Sequence, residues 1–391
     1  MSANFGHLAV ISIFLCAAAF AVPVTAECTS PLQGDINNDC VVDMNDLQIL
    51  SDEWLSQNQA IVPQSGQNFH FTVTADPRGY HTDFGNVCQA INNILGGTGA
   101  FHVSAGDIDE EVWENRVKID TYFGTSAVWY PIVGNHETET GVDMEWVRNE
   151  YDNGNNLRTA LKNYTNQDGP TGTVRTNYSW DYGNAHFVAL NEYWDGGTNE
   201  GTGQSISGSD TAVDGDIVSA LYNWLATDLA SCSKPFIFVF GHEPAFPYNR
   251  HVGDSLDANE VSRNAFWNLL EIEGVAGYIC GHTHYYSSHR GNVNHIGKVW
   301  QLDAGNAGND QGDSKTFFDV IVDSNFATIN VYRDSGTGTF SKVDSFEFTP
   351  RTCSPYLCSN LDDNCDIDFM DFAVLASNWL ECNLNPPDAC P

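Results

Sequence analysis

Apolar segments of strand-like composition alternate with segments of helical periodicity from residue 69 onwards, and this order constrains the fold more than any other feature. Strands are predicted at 69–76, 100–107 and 126–137, with helices at 86–95 and 110–123 between them. Strands that are joined through helices pair in parallel by right-handed crossovers. Residues 299–348 are typical of antiparallel β-structure. The sequence therefore predicts an α/β (α+β) sandwich with its helices on the outside.

Side chains that can bind metals lie at the ends of the predicted strands. The stretch YICGHTHYYSS, residues 278–288, carries two histidines one residue apart, which alone would be typical of a polar strand end. The ends of the other strands carry similar side chains, and the full set is Asp76, Asp107, Asn135, His242, His282 and His284. The carboxyl ends of strands in an α/β sheet meet at one edge, where sites assemble. Carboxylates with imidazoles suit manganese, iron or zinc, and two such ions would polarise a substrate oxygen and activate a shared water.

Five short motifs occur along the chain in the order TADPRG, SAGDIDE, PIVGNHE, VFGHEP and CGHTH. They resemble the ordered signature of the calcineurin-like metallophosphoesterases, the superfamily that includes the purple acid phosphatases, over residues 68–349. The resemblance implies a four-layer αββα sandwich with a dinuclear metal centre. Asp76 and His284 would bind the first metal, and Asp107 would bridge the two metals. The second metal would be bound by Asn135, His242 and His282.

The resemblance also implies a mechanism, in which a hydroxide bridging the two metals attacks phosphorus in line. His136, in the GNHE motif, would orient the phosphate and protonate the leaving oxygen. One position departs from the family, because Arg78 stands where the family has a histidine that binds the first metal. Glu110 stands where the purple acid phosphatases have a metal-binding tyrosine. Arg78 could hold a phosphate oxygen instead, or the gap could be filled by Tyr80, His81 or Asp109.

The two ends of the chain repeat each other, with residues 28–55 matching residues 353–380 in one register. Each copy has oxygen-bearing residues at positions 1, 3, 5, 9 and 12 of a twelve-residue loop, and the residue at position 7 offers its carbonyl, as in a calcium loop. Position 6 is cysteine rather than glycine, and position 12 is aspartate rather than glutamate. The predicted calcium ligands are Asp35, Asn37, Asp39, Val41, Asp43, Asp46, Asn360, Asp362, Asn364, Asp366, Asp368 and Asp371.

These copies resemble dockerin repeats, the loop-helix calcium modules that dock enzymes onto cohesin scaffolds and normally have aspartate at position 12. Dockerins carry their two repeats in tandem, whereas about 300 residues separate the copies here. Because chain termini often lie close together, the halves could form one split module. The resemblance implies calcium at both ends and a cohesin-type scaffold protein as a partner.

The N-terminus is typical of a secretory signal. Residues 8–22 form an apolar stretch too short to span a membrane, and small residues precede a predicted cleavage site after Ala26. No later stretch is apolar enough to be a transmembrane helix. The chain has 51 acidic against 16 basic residues, a formal charge of −35. Such a chain repels nucleic acids and anionic membrane surfaces and attracts divalent cations.

Ten cysteines remain after removal of the predicted signal, as suits an oxidising compartment. Cys28 and Cys40 are twelve residues apart, and Cys353 and Cys365 have the same separation, so a local bridge could form in each copy. Cys382 is an equally good partner for Cys365, and spacing alone does not decide between them. Three further cysteines near apolar stretches are predicted to be buried thiols, namely Cys88, Cys232 and Cys280.

The predicted organisation is a signal peptide (1–26), a calcium repeat (27–56), a linker (57–67), a phosphoesterase domain (68–349) and a second calcium repeat with a cysteine-rich tail (350–391). The predicted function is that of a secreted dinuclear-metal phosphoester hydrolase, tethered to an extracellular assembly through its repeats. Its cofactors would be two transition metals (iron, manganese or zinc), with calcium at the repeats. The alternative is a non-catalytic protein that binds a phospho-ligand or docks to a cohesin, with a first metal site degraded at Arg78.

Overall fold

The computed structural model describes residues 27–28, 32, 34–36, 40–54, 59–61, 64–65, 67–108, 112–139, 141–152, 166–173, 176–197, 215–290, 299–308, 312–351, 353–354, 361, 365–382 and 384–385. The helices are α1 (Met44–Asp52), α2 (His81–Leu95), α3 (Val112–Phe123), α4 (Gly141–Asp152), α5 (Ser219–Ser231), α6 (Glu260–Ile272) and α7 (Phe369–Ser377). The strands are β1 (Glu27–Cys28), β2 (Gln59–Ala60), β3 (Phe69–Thr74), β4 (His102–Ser104), β5 (Trp129–Pro131), β6 (Asn166–Asp168), β7 (Tyr178–Tyr182), β8 (Ala185–Ala189), β9 (Phe236–Phe240), β10 (Gly277–Cys280), β11 (Tyr286–Arg290), β12 (Trp300–Ala304), β13 (Thr316–Val322), β14 (Ala327–Asp334), β15 (Phe340–Phe348), β16 (Cys353–Ser354) and β17 (Leu384–Asn385). The predicted signal peptide lies outside the described residues.

The first sheet has six strands in the order β15-β14-β13-β3-β4-β5. Strands β3, β4 and β5 pair in parallel, because helices α2 and α3 return the chain to the same end of the sheet each time. Strands β13, β14 and β15 add an antiparallel half. The parallel pairing places the residues that follow β3, β4 and β5 at one edge of the sheet.

The second sheet has seven strands in the order β11-β12-β10-β9-β8-β7-β6. Its centre, from β8 through β9 and β10 to β12, is parallel. The antiparallel prediction for residues 299–348 is therefore right for β13 to β15 but wrong for β12 next to β10. An apolar strand has the same composition in both arrangements, so the local sequence could not distinguish them.

Four layers form a sandwich of two sheets with helices on both outer faces, as predicted. The inner faces of the sheets share one core, in which Phe71 of β3 lies 5.9 Å from Phe238 of β9 between ring centroids. Helices α5 and α6 cover the second sheet, and α2 and α3 cover the first. This buried apolar surface is the main source of stability. Within the described residues, no helix combines the length and apolar character needed to cross a membrane.

The two repeats at the ends of the chain meet and share a hydrophobic core. Helices α1 and α7 contact each other, and strands β1 and β17 pair antiparallel. The N–H of Val42 donates to the carbonyl of Glu381 at 2.9 Å, and the N–H of Leu380 donates to the carbonyl of Val42 at 2.8 Å. The shared core consists of Ile36, Val42, Leu50, Ile367 and Leu375. We call the described residues within 27–54 and 361–385 the terminal module.

The segments that connect the terminal module to the sandwich are fixed in place. Strand β2, in the predicted linker, pairs with β16. The backbone N–H and carbonyl of Gln64 bond the side chain of Asn184. On the other side, the buried guanidinium of Arg351 donates to the carbonyls of Cys232, Lys234 and Glu273. These contacts tie both connections to the second sheet.

Cysteine pairing follows the location of each residue. Cys40, Cys365 and Cys382, all in the terminal module, are disulfide-bonded. The three cysteines inside the sandwich are buried thiols, as predicted, and these are Cys88, Cys232 and Cys280. Burial raises the pKa of each of these thiols, which makes them unreactive.

Candidate metal centre

Unusual backbone turns place the candidate ligands just beyond the strand ends. Four of them have positive φ angles, a conformation that residues other than glycine rarely adopt: Asp76 (51°), Asp107 (52°), His282 (70°) and His284 (60°). Such turns persist only where the surrounding structure enforces them, and they are concentrated at functional sites. They redirect each side chain from the strand into a common space.

Glycines in the motifs let these turns approach one another closely. A Cβ on Gly106 would overlap the imidazole of His242, and a Cβ on Gly281 would overlap the carboxylate of Asp76. Each of these glycines directly precedes one candidate ligand, Asp107 or His282, and leaves space for another, His242 or Asp76. Steric crowding therefore explains why glycine stands before the ligand in the GD and GH pairs of the sequence.

The candidate ligand atoms converge in two overlapping groups. Ligand atoms of Asp76, Asp107 and His284 all lie within 4.8 Å of one another. Asp107 also extends to the other side, where its Oδ1 lies 3.2 Å from Nε2 of His242. The rings of His242 and His282 are 5.0 Å apart between centroids. Asp107 thus occupies the middle of the cluster, as a bridging ligand would.

Four buried polar atoms of the predicted metal ligands make no hydrogen bond with any described residue. They are Oδ1 of Asp76, Oδ1 of Asn135, Nε2 of His242 and Nε2 of His282. Nε2 of His284 lies 3.3 Å from Oδ1 of Asp76, a distance typical of two ligands that point at a common centre. An unsatisfied buried polar atom costs about 1–3 kcal/mol. A bound cation would satisfy all four atoms, so the residues fit a metal centre.

The electrostatics of the cluster also suit cations. Burial alone would raise the pKa of Asp107, but His242 and His136 hold it below its usual value. Burial and the nearby His242 hold the pKa of His282 well below its usual value. Burial would lower the pKa of His242, but the Asp107 carboxylate raises it well above the usual value. An ionised Asp107 and a neutral His282 are ready to bind metal, and a cation would displace the proton of His242.

Glu137, next to His136, anchors the two loops that carry Asp107 and Asn135. Its carboxylate is fully buried and accepts three backbone N–H groups, from Asp107 at 3.0 Å, Ile108 at 2.6 Å and Gly134 at 2.6 Å. Hydrogen bonds to a buried carboxylate are among the stronger ones. The final glutamate of the GNHE motif therefore fixes the position of two candidate ligands together.

A second buried carboxylate, that of Glu192, anchors the loop that carries His242. Glu192 accepts the backbone N–H groups of His242 at 3.0 Å and Glu243 at 2.8 Å, and it also accepts the hydroxyl of Tyr278. The Tyr193 hydroxyl donates to Glu243 at 2.8 Å. Burial raises the pKa of both carboxyls. Sequence reasoning missed Glu192 and the two tyrosines, because no local motif marks a carboxylate that acts on a loop 50 residues away.

His136 lies at the edge of the cluster with part of its side chain exposed. Its Nε2 is 3.7 Å from Oδ2 of Asp107, and its Nδ1 is 2.8 Å from Oε1 of Glu139. A histidine with a carboxylate near one nitrogen and the site near the other can move a proton at the site. The geometry is compatible with the predicted role of His136.

The residues considered for the gap in the first metal site differ in what they contact. The backbone N–H of Arg78 donates to the carbonyl of Asp107 at 2.9 Å, so Arg78 lies beside the candidate ligands. Nδ1 of His81 lies 3.2 Å from the side-chain oxygen of Asn115. Tyr80 is exposed. Asp109 and Glu110 lie outside the described residues.

Two further residues of the site were not among the candidates. The guanidinium of Arg250 contacts Nδ1 of His284. The ring of His251 stacks on His282 with centroids 4.0 Å apart. Both belong to the loop after β9, beyond the VFGHEP motif at its start, so nothing in the neighbouring sequence distinguished His251 from an ordinary surface histidine.

A known protein family matches the part of the chain that carries these residues. A family model described as calcineurin-like phosphoesterase matches residues 69–286. Solved structures with similar folds include a dimetal phosphatase from Danio rerio (12% identity, 72% of this chain and 98% of that chain, TM-score 0.48), PhoD (11%, 81% and 78%, 0.48) and GAP50, the anchor in the inner membrane complex of Plasmodium (14%, 79% and 95%, 0.45). No curated protein matches the chain in sequence.

All three TM-scores are below 0.5, so the assignment comes from the family match, which spans more than half of the chain. Members of this family use two divalent metals, and the cluster of Asp76, Asp107 and His284 provides a candidate site for them. The chain therefore belongs to the calcineurin-like phosphoesterases and is a metal-dependent phosphoester hydrolase.

Proposed function

We propose that this hydrolase holds two transition-metal ions, iron, manganese or zinc, at the six strand-end residues. Asp76 and His284 would bind the first ion, Asp107 both ions, and Asn135, His242 and His282 the second. The observation that carries this proposal is the set of four buried ligand atoms that make no hydrogen bond with the described residues. When bound, the two ions would polarise the phosphoester and lower the pKa of a water molecule.

The chain's own residues would supply binding and proton transfer. His136, with Oε1 of Glu139 2.8 Å from its Nδ1, would protonate the leaving oxygen of the ester. Arg78, beside Asp107, would hold a phosphate oxygen through its guanidinium. Buried anchors such as Glu137 keep the ligand loops fixed, so little reorganisation is needed when substrate binds.

Hydrolysis of an aryl phosphate monoester and an aryl phosphate diester, with manganese, iron or zinc added, tests this function. We expect turnover by the wild type and its loss in His282→Ala, with little change in the melting temperature, because a ligand at the sheet edge contributes little to the core. His289→Ala, at an exposed histidine outside the site, is the matched control and should stay active. A near-wild-type rate in His282→Ala would refute the metal assignment.

The alternative is a non-catalytic protein that binds a phospho-ligand, with the first metal site degraded at Arg78. The metal content of the purified protein, measured by elemental analysis, distinguishes the enzyme from the binding protein. About two transition-metal ions per chain favour the enzyme, whereas one or none, together with absence of turnover on both esters, favours the binding protein. The family match supports the enzyme.

We further propose that the terminal module binds calcium. Cys40 and Cys365 stand at position 6 of the two predicted loops, where calcium loops usually have glycine, and both adopt positive φ angles, 71° and 72°. Oδ2 of Asp35, at position 1, accepts the N–H of Cys40 at 2.9 Å. Of the other predicted ligands, Val41, Asp43, Asp46, Asp366, Asp368 and Asp371 are described, whereas Asn37, Asp39, Asn360, Asp362 and Asn364 lie outside the described residues.

Calorimetric titration of the chelator-treated chain with calcium is the test. We expect uptake by the wild type and loss of it in Asp46→Asn and Asp371→Asn, whereas Asp52→Asn, an exposed aspartate in α1, should bind as the wild type does. Absence of heat in the wild type would contradict the proposal.

An exposed apolar surface supports a docking role for the module with a cohesin-type scaffold protein. Equivalent helix starts expose Met44 in α1 and Phe369 in α7, with 64% and 76% of their surface accessible. Met370, Phe372 and Leu380 are exposed on the same repeat. Exposed apolar clusters of this kind commonly mark protein interaction sites.

Pull-down with cohesin modules, with and without a calcium chelator, tests docking. We expect calcium-dependent retention that Phe369→Asp abolishes and Val261→Asp leaves intact, because Val261 is similarly exposed but lies on α6 of the sandwich.

Secretion has its own test, since the N-terminal residue of the exported protein should be Glu27. An intact residue 1 on exported protein would rule out the predicted cleavage.

A further inference from the structure

One short turn carries two of the proposed ligands, one for each metal. His282 and His284 both have positive φ angles, and Thr283 between them is fully buried. Two departures from ordinary backbone geometry within three residues, each of order 1–3 kcal/mol, need support from the surrounding structure. Thr283 lies between the two histidines, so its contacts show what provides that support.

The hydroxyl of Thr283 takes part in a chain of hydrogen bonds. It accepts the backbone N–H of Tyr285 at 3.2 Å and donates to Oδ2 of Asp303 at 2.6 Å. The other oxygen of Asp303 accepts the backbone N–H of Gly305 at 2.8 Å. The carbonyl of Tyr285 also lies 3.2 Å from the Thr283 hydroxyl. The bond to Asp303 is shorter than this contact, and it joins the turn that carries Thr283 to β12.

Sheet topology explains why Asp303 is suited to this task. The turn leads from β10 to β11, but β12 lies between these two strands in the sheet. Asp303 of β12 is in register with Cys280 at the end of β10 and with Ser287 at the start of β11. The turn therefore crosses above β12, and Asp303, fully buried, supports it from below.

We propose that Asp303 and Thr283 act as a positioning pair that sets the His282–His284 turn for both metals at once. This inference rests on the proposed metal centre. Neither residue touches substrate or reacting atoms. Loss of residues that orient metal ligands typically lowers metal affinity about 10- to 100-fold. Because the turn carries one ligand of each metal, we expect both binding steps to weaken in Thr283→Val, which keeps the side-chain shape and removes the hydroxyl.

Zinc titration of the chelator-treated full chain measures the effect without reference to activity. Thr283→Val should lose about 10- to 100-fold in affinity at both steps, and Asp303→Asn somewhat less, because an amide can satisfy only one of the two donors. Thr283→Ser keeps the hydroxyl and should stay within about threefold of the wild type. The double variant Thr283→Val with Asp303→Asn should be no worse than Thr283→Val alone, since both substitutions break one chain of bonds.

Thr72→Val is the control for a merely structural effect. Thr72 is also fully buried and its hydroxyl bonds His102 at 2.8 Å, inside the first sheet. We expect this variant to lower the melting temperature without changing zinc affinity. Wild-type affinity in Thr283→Val, or an equal loss in Thr72→Val, would overturn the positioning role while leaving the proposed function intact. A wild type that binds no zinc, manganese or iron would overturn both.

Discussion

The buried His186 provides a quantitative test of the electrostatics of the fold. On β8, His186 faces Asp181 of β7, whose Oδ1 is 2.7 Å from its Nδ1, and Asp228 of α5, whose Oδ2 is 2.9 Å from its Nε2. The Ser179 hydroxyl bonds the other oxygen of Asp228, and Lys234 lies 3.7 Å from Asp181. Burial would lower the pKa of His186, but the two carboxylates raise it to about 9.

The sign and size of the effect follow from this shift. A pKa that is higher in the folded state gives stability that is fully present below the unfolded pKa of 6.5 and is lost as the pH rises through about 9. The pKa rises by roughly 2.5 units, and at about 1.36 kcal/mol per unit this corresponds to about 3 kcal/mol of folding stability. Because the side chain is only 5% exposed, solvent screens little of this energy.

Urea unfolding followed by tryptophan fluorescence at several pH values from 6.5 to 9.5 measures this quantity. His186→Gln removes the titrating group, so its stability should fall less over this interval than that of the wild type, by about 3 kcal/mol. His289→Gln is the control, since desolvation of its ring and the nearby Arg263 lower the pKa of His289 and move it away from the interval. Parallel pH dependences of the wild type and His186→Gln would refute the reasoning.

Three further changes probe the metal centre and the terminal module. Arg78→His should restore an imidazole to the first metal site and raise zinc affinity about tenfold or more. KM for the phosphoester should rise because a phosphate contact is lost, and an unchanged KM would exclude that contact. Glu137→Gln should lower the free energy of unfolding by about 1.5–3 kcal/mol and weaken zinc binding, because an amide cannot accept all three backbone N–H groups. A zinc affinity equal to that of the wild type would show that the ligand loops keep their positions without the Glu137 carboxylate. Leu375→Ala should destabilise the shared core by about 2–5 kcal/mol and speed hydrogen exchange in α1 at the opposite end of the chain, whereas the exposed Met370→Ala should not. Unchanged exchange in α1 would mean that the halves are independent.

Features encoded by contiguous residues were the ones that sequence could predict. The sandwich was predicted because apolar periodicity reports which face of a segment is buried, and crossover handedness then limits the topology. The strand-end residues, Asp107 and His282 among them, stand in short motifs whose glycines and turns act locally. The pairing of the chain ends could be anticipated because two copies of one pattern align residue by residue.

Features that depend on distant partners could not be predicted. Glu192 acts on a loop 50 residues away, and Asp303 acts on one 20 residues away, so each is an ordinary acidic residue in its local sequence. His186 and His251 have no distinguishing neighbours, yet one is enclosed by two carboxylates and the other stacks on a proposed ligand. The parallel position of β12 depended on sheet order, which composition does not encode.

The shared core of the terminal module imposes an order on biosynthesis. The first repeat is made early, but the residues that complete its core, Ile367 and Leu375, leave the ribosome only after about 310 more residues. At about 5–20 residues per second this takes roughly 15–60 s. Until then Ile36, Val42 and Leu50 have only their own repeat to pack against, so a truncated product retains an incomplete N-terminal end.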